Sequence, residues 1–456
     1  MKEQSSHLSR RKFLQTAAIA AIAAPFVIRC TSEKKPRNGK INHACIGVGG
    51  MGWQDLQKFR EDPNVQIVAI CDTDADYLKK AAEALPEAHT YTDWRELLKK
   101  EDDNIDSVNV TVPDHNHFAI AYAAIKRGKH VYCQKPMCHD VAEVRLLTEA
   151  AVKAGVITQL GTQYASREGD RMMVQLIKEG VIGKVKHAYL CSNRPGAIDK
   201  YRLAGPRPEV GSAVPATLNW DLWTGTAPVR AFSPEIYHPM VWRTWQDFGT
   251  GWSGDIGCHI FDAVWKGLGL KTPKSVVAEV QKSWQDSPAR KADTWPQGDH
   301  ITWMFPGTEL TEDVLPLEWF DGEFYPPQEI RNLFAGHEYP AESAILIGSE
   351  GALLLPHTQF PVLLPEEKFR EHKMPFFEPG NHYHNFIVAC KGGPKNESHF
   401  AQTGPMTEAI LLGTVAIRVP DQLLEWDSEG LEFTNYPEAN KYLRRDYRKG
   451  WKVAGF

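Results

Sequence analysis

Residues 44–52, Ala-Cys-Ile-Gly-Val-Gly-Gly-Met-Gly, restrict the fold of this chain more than any other segment. A short apolar run, Ile41–Ile46, breaks there into G-x-G-x-x-G, and a helical stretch through Phe59 follows. A second apolar run, Val65–Cys71, then ends in Asp72. Gly47 permits a tight turn, and Gly49 lets the backbone approach a pyrophosphate. Gly52 lets the next helix pack close to the sheet, with its N-terminus facing negative charge. Both flanks fit, so the segment predicts a Rossmann strand–turn–helix that binds a dinucleotide, with Met51 inside the turn. A carboxylate at Asp72 accepts hydrogen bonds from ribose hydroxyls and repels a 2′-phosphate. Asp74 and Asp76 follow and no arginine is nearby. NAD is therefore expected rather than NADP.

Alternating strand and helix signals continue to about residue 160. Strands are predicted at 41–46, 65–71, 89–91, 106–111, 129–133 and 156–160. Helices are predicted at 51–61, 74–84, 93–100, 117–127 and 139–154. This rhythm implies a parallel sheet with helices on both faces. Ligands bind outside the carboxyl ends of such strands. Asp114-His115-Asn116 and Gln134-Lys135-Pro136 fall there and should face the cofactor cleft.

The texture changes after residue 160. A helix at 168–180 leads to a strand at Val185–Ser192, and 193–250 reads as long loops rich in Pro, Gly and aromatics. Alternation at 275–282, 299–305, 344–347 and 352–355 predicts an antiparallel sheet, with helices near 381–391 and 405–418. The expected architecture is α/β: an N-terminal Rossmann domain over 40–160, then an α+β domain over 161–456 with an open, mostly antiparallel sheet.

At 456 residues the chain has room for roughly two or three cores. A net charge of −5, with no basic stripe, gives no reason to expect nucleic acid. Residues 1–39 read as a signal and linker. Arg10-Arg11 begin a twin-arginine pattern, and the apolar run Ala17–Ile28 is too short to span a bilayer. Export to the periplasm is expected. Cys30 sits where a lipoprotein cysteine would, but Arg29 before it is unlike the small residue such sites carry. The membrane therefore enters only during export or through lipidation of Cys30. The eight cysteines form no C-x-x-C pair, so no zinc or dithiol site is expected, and disulfide pairing stays open.

Taken in order, the glycine turn, Pro113-Asp114-His115-Asn116-His117, Gln134-Lys135-Pro136 and Gly249-x-Gly251-x-x-x-Asp255-x-x-x-His259 resemble the Gfo/Idh/MocA oxidoreductases, relatives of glucose–fructose oxidoreductase and inositol dehydrogenase. The resemblance covers nearly everything after the signal. It implies that Lys135 lies beside the nicotinamide, that Asp255 and His259 complete the catalytic set, and that Pro113, His117, Gln134 and Lys135 shape the cofactor pocket. It also implies a sugar or cyclitol substrate and a homo-oligomer through the open sheet. The chemistry agrees, because oxidising a carbinol requires removal of its hydroxyl proton, a task suited to Lys or His. Asp255 and His259, four apart, share a helix face. Gln134 departs from the Glu usual at this position, which removes a negative charge beside the lysine.

Five tryptophans (220, 223, 242, 245 and 252) crowd the approach to Asp255, and sugar C–H faces pack on such rings. Tyr164, Arg167, His238, Arg243 and Trp252 are the candidate substrate contacts, although loop-anchoring is the plainer role for many of these aromatics. An exported dehydrogenase would be stranded after one hydride transfer, so the dinucleotide is expected to stay bound. The alternatives are an NAD-dependent glycosidase acting through transient ring oxidation, whose known examples generally lack the lysine motif, and a non-catalytic sugar-binding protein.

Overall fold

The β-α alternation of the first 160 residues builds a six-stranded, all-parallel sheet in the order β3-β2-β1-β4-β5-β6. Its strands are β1 (Ile41–Ile46), β2 (Val65–Cys71), β3 (His89–Tyr91), β4 (Ser107–Val110), β5 (His130–Cys133) and β6 (Thr158–Leu160). In this computed structural model, residues 39–194 and 206–453, apart from 235 and 335, are described. The expected twin-arginine signal and Cys30 lie outside them.

Helix starts follow their caps. The side chains of Asp74, Asp93 and Asp140 accept backbone N–H groups at the starts of α2 (Ala75–Ala84), α3 (Trp94–Lys100) and α5 (Val141–Ala154). The other helices of this half are α1 (Met51–Glu61) and α4 (His117–Ile125).

After α6 (Glu168–Lys178) the chain forms a nine-stranded open sheet in the order β13-β12-β11-β7-β10-β9-β8-β14-β15. Its strands are β7 (Val185–Ser192), β8 (Ser275–Val280), β9 (Asp299–Pro306), β10 (Val314–Phe320), β11 (Glu342–Gly348), β12 (Ala352–Pro356), β13 (Val362–Leu364), β14 (Leu424–Asp427) and β15 (Glu432–Phe433). All its pairs are antiparallel except β7–β10. Helices α7 (Gly251–Leu268) and α9 (Phe400–Arg418) pack against this sheet, and α9 also packs on α5. Helix α8 (His382–Cys390) rests on α1. From Lys40 the chain is one compact unit, and its largest apolar core runs from the first sheet into the second.

Two expectations needed correction. Strand β10 was not foreseen, because Pro316 interrupts it. Proline is tolerated there because pairing with β7 begins only at Leu317, so no ladder bond is lost on that side. Helix α9 begins at Phe400, not near 405, and carries Pro405 in its interior.

Candidate functional site

A cleft of about 420 Å³ lies along the carboxyl edge of the first sheet. One end is the glycine turn. Gly47 has φ +83°, and a Cβ there would lie 2.1 Å from the Thr111 carbonyl oxygen. A Cβ on Gly49 would enter the Tyr77 ring at 2.2 Å, and one on Gly52 would lie 2.2 Å from the Gly47 oxygen. The turn therefore depends on bare backbone, as a pyrophosphate cradle does. Met51, 37% exposed, lines its rim.

Asp72 stands at the end of β2. Its Oδ2 accepts from the backbone N–H groups of Val48 (2.8 Å) and Gly49 (3.2 Å), and its Oδ1 accepts from Asp74 N (2.9 Å). Burial raises its carboxyl above the ordinary range. These residues fit the diphosphate and adenosine ribose of a dinucleotide.

At the other end of the cleft, the β4 and β5 exits meet helix α7. Thr111, Val112, Pro113 and Asp114 follow β4, and Gln134 and Lys135 follow β5. Lys135 Nζ donates to Asp255 Oδ1 and to the Asp255 carbonyl oxygen, both at 3.0 Å. Arg243 Nε lies 3.5 Å from the same Oδ1. Asp114, 1% exposed, accepts from Thr250 Oγ1 at 3.1 Å. Burial, reinforced by the nearby Asp255 charge, pushes its carboxyl up to about 8, against the pull of Arg243 and Lys135. Two carboxyls and two cations thus share one buried space.

His259 follows Asp255 by one helical turn and lines the cleft. Its Nδ1 is buried without a hydrogen bond, and burial holds its pKa well below that of free histidine, so the ring is neutral. Tyr164 and His357 pack around it, with ring centres 6.0 and 5.6 Å away. Arg167 lies 4.7 Å over the Tyr164 ring. Tyr164 and Arg167 are therefore one layer behind the cleft wall.

The structure separates several residues that the sequence grouped. His238 bonds Asp74 Oδ2 at 3.0 Å and packs on Tyr77, so it belongs to the glycine-turn end rather than to the substrate contacts beside Lys135. Trp252 is 5% exposed and donates its indole N–H to the Ser192 carbonyl, which makes it a core residue and not a substrate contact. Trp220, Trp223, Trp242 and Trp245 form an aromatic cluster with Tyr237 and Phe248, and this cluster anchors the long loop. Of the four, Trp223 and Trp242 also line the cleft. His117 is a strut: its ring nitrogens lie 2.7 Å from the carbonyl oxygens of Pro136 and Val112, tying the β5 exit to the β4 exit.

Gln134 does not face the lysine ammonium. Its Nε2 donates to Asp55 at 2.9 and 3.1 Å, and its Oε1 accepts from the Lys135 backbone N–H at 3.3 Å. Asp55 also accepts from Thr111 (2.7 Å) and Tyr383 (2.7 Å), while burial raises its carboxyl to about 6. The negative charge beside Lys135 comes from Asp255, so the expected electrostatic effect of Gln134 on the lysine is replaced by a hydrogen bond to a buried carboxyl. Asp55 and His357 were missed as site members. Asp114 was expected to face the cleft from its place outside β4, as it does, but without a role of its own. The seven described cysteines are all unpaired.

Two family models match the chain in succession: "Oxidoreductase family, NAD-binding Rossmann fold" over residues 41–162, and "Oxidoreductase family, C-terminal alpha/beta domain" over residues 170–308. Among curated relatives, the myo-inositol 2-dehydrogenase of Thermotoga maritima is 29% identical over 163 residues, covering 35% of this chain and 48% of that protein. A glycosyl hydrolase family 109 protein of Solibacter usitatus is 32% identical over 199 residues, covering 39% and 44%. The chain spans about half the length of these relatives. The WlbA dehydrogenase from Bordetella pertussis, solved with NADH and UDP-GlcNAcA, superposes with a TM-score of 0.59 over 85% of this chain and 98% of that one. At 16% identity this likeness shows a shared fold. Both domains and the cleft between their elements lead to one assignment: the chain belongs to the Gfo/Idh/MocA oxidoreductase family and carries its NAD-binding Rossmann domain.

Proposed function

We propose that the protein oxidises or reduces a hydroxyl-bearing carbon of a sugar or glycoside, using an NAD that stays bound between turnovers. The observation that carries this reading is the convergence of Lys135, Asp255 and His259 at one end of a cleft whose other end is a glycine turn with Asp72. Bound NAD supplies the hydride acceptor and donor. The turn at Gly47–Gly52 would hold its diphosphate, Asp72 its ribose, and Pro113, Gln134 and Lys135 the wall beside its nicotinamide. Lys135 Nζ, fixed by Asp255, is placed to hold the substrate oxygen. The neutral His259 ring, which lines the cleft, offers an imidazole nitrogen as acceptor for the hydroxyl proton, or as donor in the reverse direction. Arg243 keeps the Asp255 carboxylate charged and in place.

A second reading rests on the glycosyl hydrolase family 109 relatives from Solibacter and Shewanella. In that route a ring hydroxyl is oxidised and the neighbouring C–H proton is removed. The aglycone then leaves, water adds, and the hydride returns, so the net reaction is hydrolysis.

One experiment separates these readings. Mass spectrometry of the purified, denatured protein identifies released dinucleotide, and NMR follows a glycoside panel without added NAD⁺. A keto-sugar or paired alcohol product supports the oxidoreductase, and a cleaved glycoside supports the second route. Protein free of dinucleotide that turns sugars over only with added NAD⁺ would sink the retained-cofactor proposal.

A further inference from the structure

Helix α7 carries one polar stripe along its buried length. Asp255, His259, Asp262 and Lys266 are spaced four, three and four apart, so they lie on one face. His259 lines the cleft, and Asp255 meets it through Lys135. Asp262 and Lys266 line a separate cavity of about 780 Å³, walled by α6, the C-terminal end of α7 and the first turn of α9. No side chain lines both spaces.

The walls of this second cavity combine apolar surface with polar atoms that have no partner. Val174, Trp265, Leu270 and Phe377 supply the apolar part. Asp262 is 1% exposed; its Oδ2 accepts from Lys266 at 2.6 Å, while its Oδ1 has no hydrogen bond. Both amide atoms of Gln402, Thr272 Oγ1 and His399 Nδ1 are likewise buried and unpaired. Pro405 adds another acceptor, because without an N–H it cannot bond the Ala401 carbonyl one turn back. Buried polar atoms are nearly always hydrogen-bonded. Five orphans around one cavity are groups that a bound ligand would complete.

The wall's charges narrow the class of that ligand. Lys266 is already held by Asp262. Arg171 lies 3.6 Å from Glu397 and 4.4 Å over the Phe377 ring. Burial raises the Asp170 and Asp262 carboxyls, and the charge of Asp262 is already matched by Lys266. Among the described residues no group of His, Cys, Asp and Glu side chains is arranged to hold a metal ion. Lys178 and Lys271 also line the cavity but are exposed, so they belong to its rim. Deeper in, apart from Asp262, the unpartnered atoms are neutral donors and acceptors between apolar walls. That pattern suits an uncharged ring bearing several hydroxyls, whose polar edges and C–H faces both need partners.

We propose that this cavity is a second ligand site, for an uncharged saccharide or cyclitol, built on the same helix as the cleft but separate from it. The site is tested by equilibrium binding without turnover, so its outcome is independent of the catalytic proposal. Full-length protein with its bound cofactor is titrated by calorimetry with D-glucose, D-galactose, maltose and myo-inositol. At least one should still bind to Lys135→Met protein. Ala401→Trp, which brings an indole into the cavity from an exposed position, should weaken that binding by about tenfold or more. Cofactor content and melting temperature should not change. Gln402→Leu should act in the same direction. Either of two results overturns the proposal: no sugar of the panel binds Lys135→Met protein, or the binding that remains there is indifferent to Ala401→Trp.

Discussion

Lys135 Nζ sits 3.0 Å from Asp255 Oδ1 and 3.0 Å from the carbonyl oxygen of the same residue. One ammonium thus ties the end of β5 in the first sheet to the second turn of α7. The contact fixes the distance between the first sheet and helix α7 across the cleft. It also holds a carboxylate that is 6% exposed, where an unpaired charge would be costly.

Removal of the ammonium should therefore affect rate more than fold, since Arg243 still faces Asp255. For Lys135→Met we expect hydride transfer to the bound nicotinamide to slow by about 10²–10⁴-fold, the range for a positioned proton-transfer group. Single-turnover absorbance of the reduced nicotinamide reads this directly. Lys135→Arg should not restore the rate, because a planar guanidinium cannot occupy a point-charge site.

The Asp114 carboxyl predicts a pH dependence. Its folded pKa, about 8, lies above the ordinary aspartate value of 3.8. The folded state therefore binds the proton more tightly than the unfolded one, and the stability tied to it is present below pH 3.8 and lost as pH rises through about 8. Asp114→Asn should flatten the fall in melting temperature across this window. A wild-type profile with the same slope as the variant would refute the assignment.

Gln134→Glu should be harmful because of Asp55 and not because of Lys135. The new carboxylate would meet one whose pKa burial already raises to about 6. We expect a loss of about 1–3 kcal/mol, larger at pH 8 than at pH 5, since like charges resist joint ionisation. Asp55→Asn in the same chain should recover most of it, a coupling that denaturant melts of the four proteins would measure.

Gly47→Ala tests the turn. The added methyl would meet the Thr111 carbonyl at 2.1 Å on a backbone already at φ +83°. We expect about 1–3 kcal/mol of strain and loss of copurifying dinucleotide. Unchanged dinucleotide content by mass spectrometry would show that the cradle tolerates the side chain.

The first sheet was readable because each strand is a short apolar run closed by a helix signal, and because aspartates at 74, 93 and 140 mark the starts of helices. Lys135, Asp255 and His259 were readable from their motifs, which fix local geometry at a strand end and along one helix face. Pro316 hid β10, since a proline in a central strand is acceptable only where the neighbouring ladder has not begun, and that depends on β7 more than 120 residues earlier. Asp55 was hidden in a similar way. Its role exists only once Gln134 and Tyr383 arrive from elsewhere. His238 and Trp252 were placed by proximity in sequence to Asp255, but a loop anchored by its own aromatic cluster carries His238 to the far end of the cleft, while the first turn of α7 sets Trp252 into the core.

Asp72 has a wider consequence for any attempt to re-engineer the protein. The carboxylate suited to the ribose also braces the turn, with one oxygen accepting from both the Val48 and Gly49 amides. Cofactor preference and loop rigidity are therefore a single inherited trait in this chain. A substitution made to admit a phosphorylated ribose would slacken the diphosphate cradle at the same stroke, so a change of coenzyme would need a replacement brace as well as a new recognition residue.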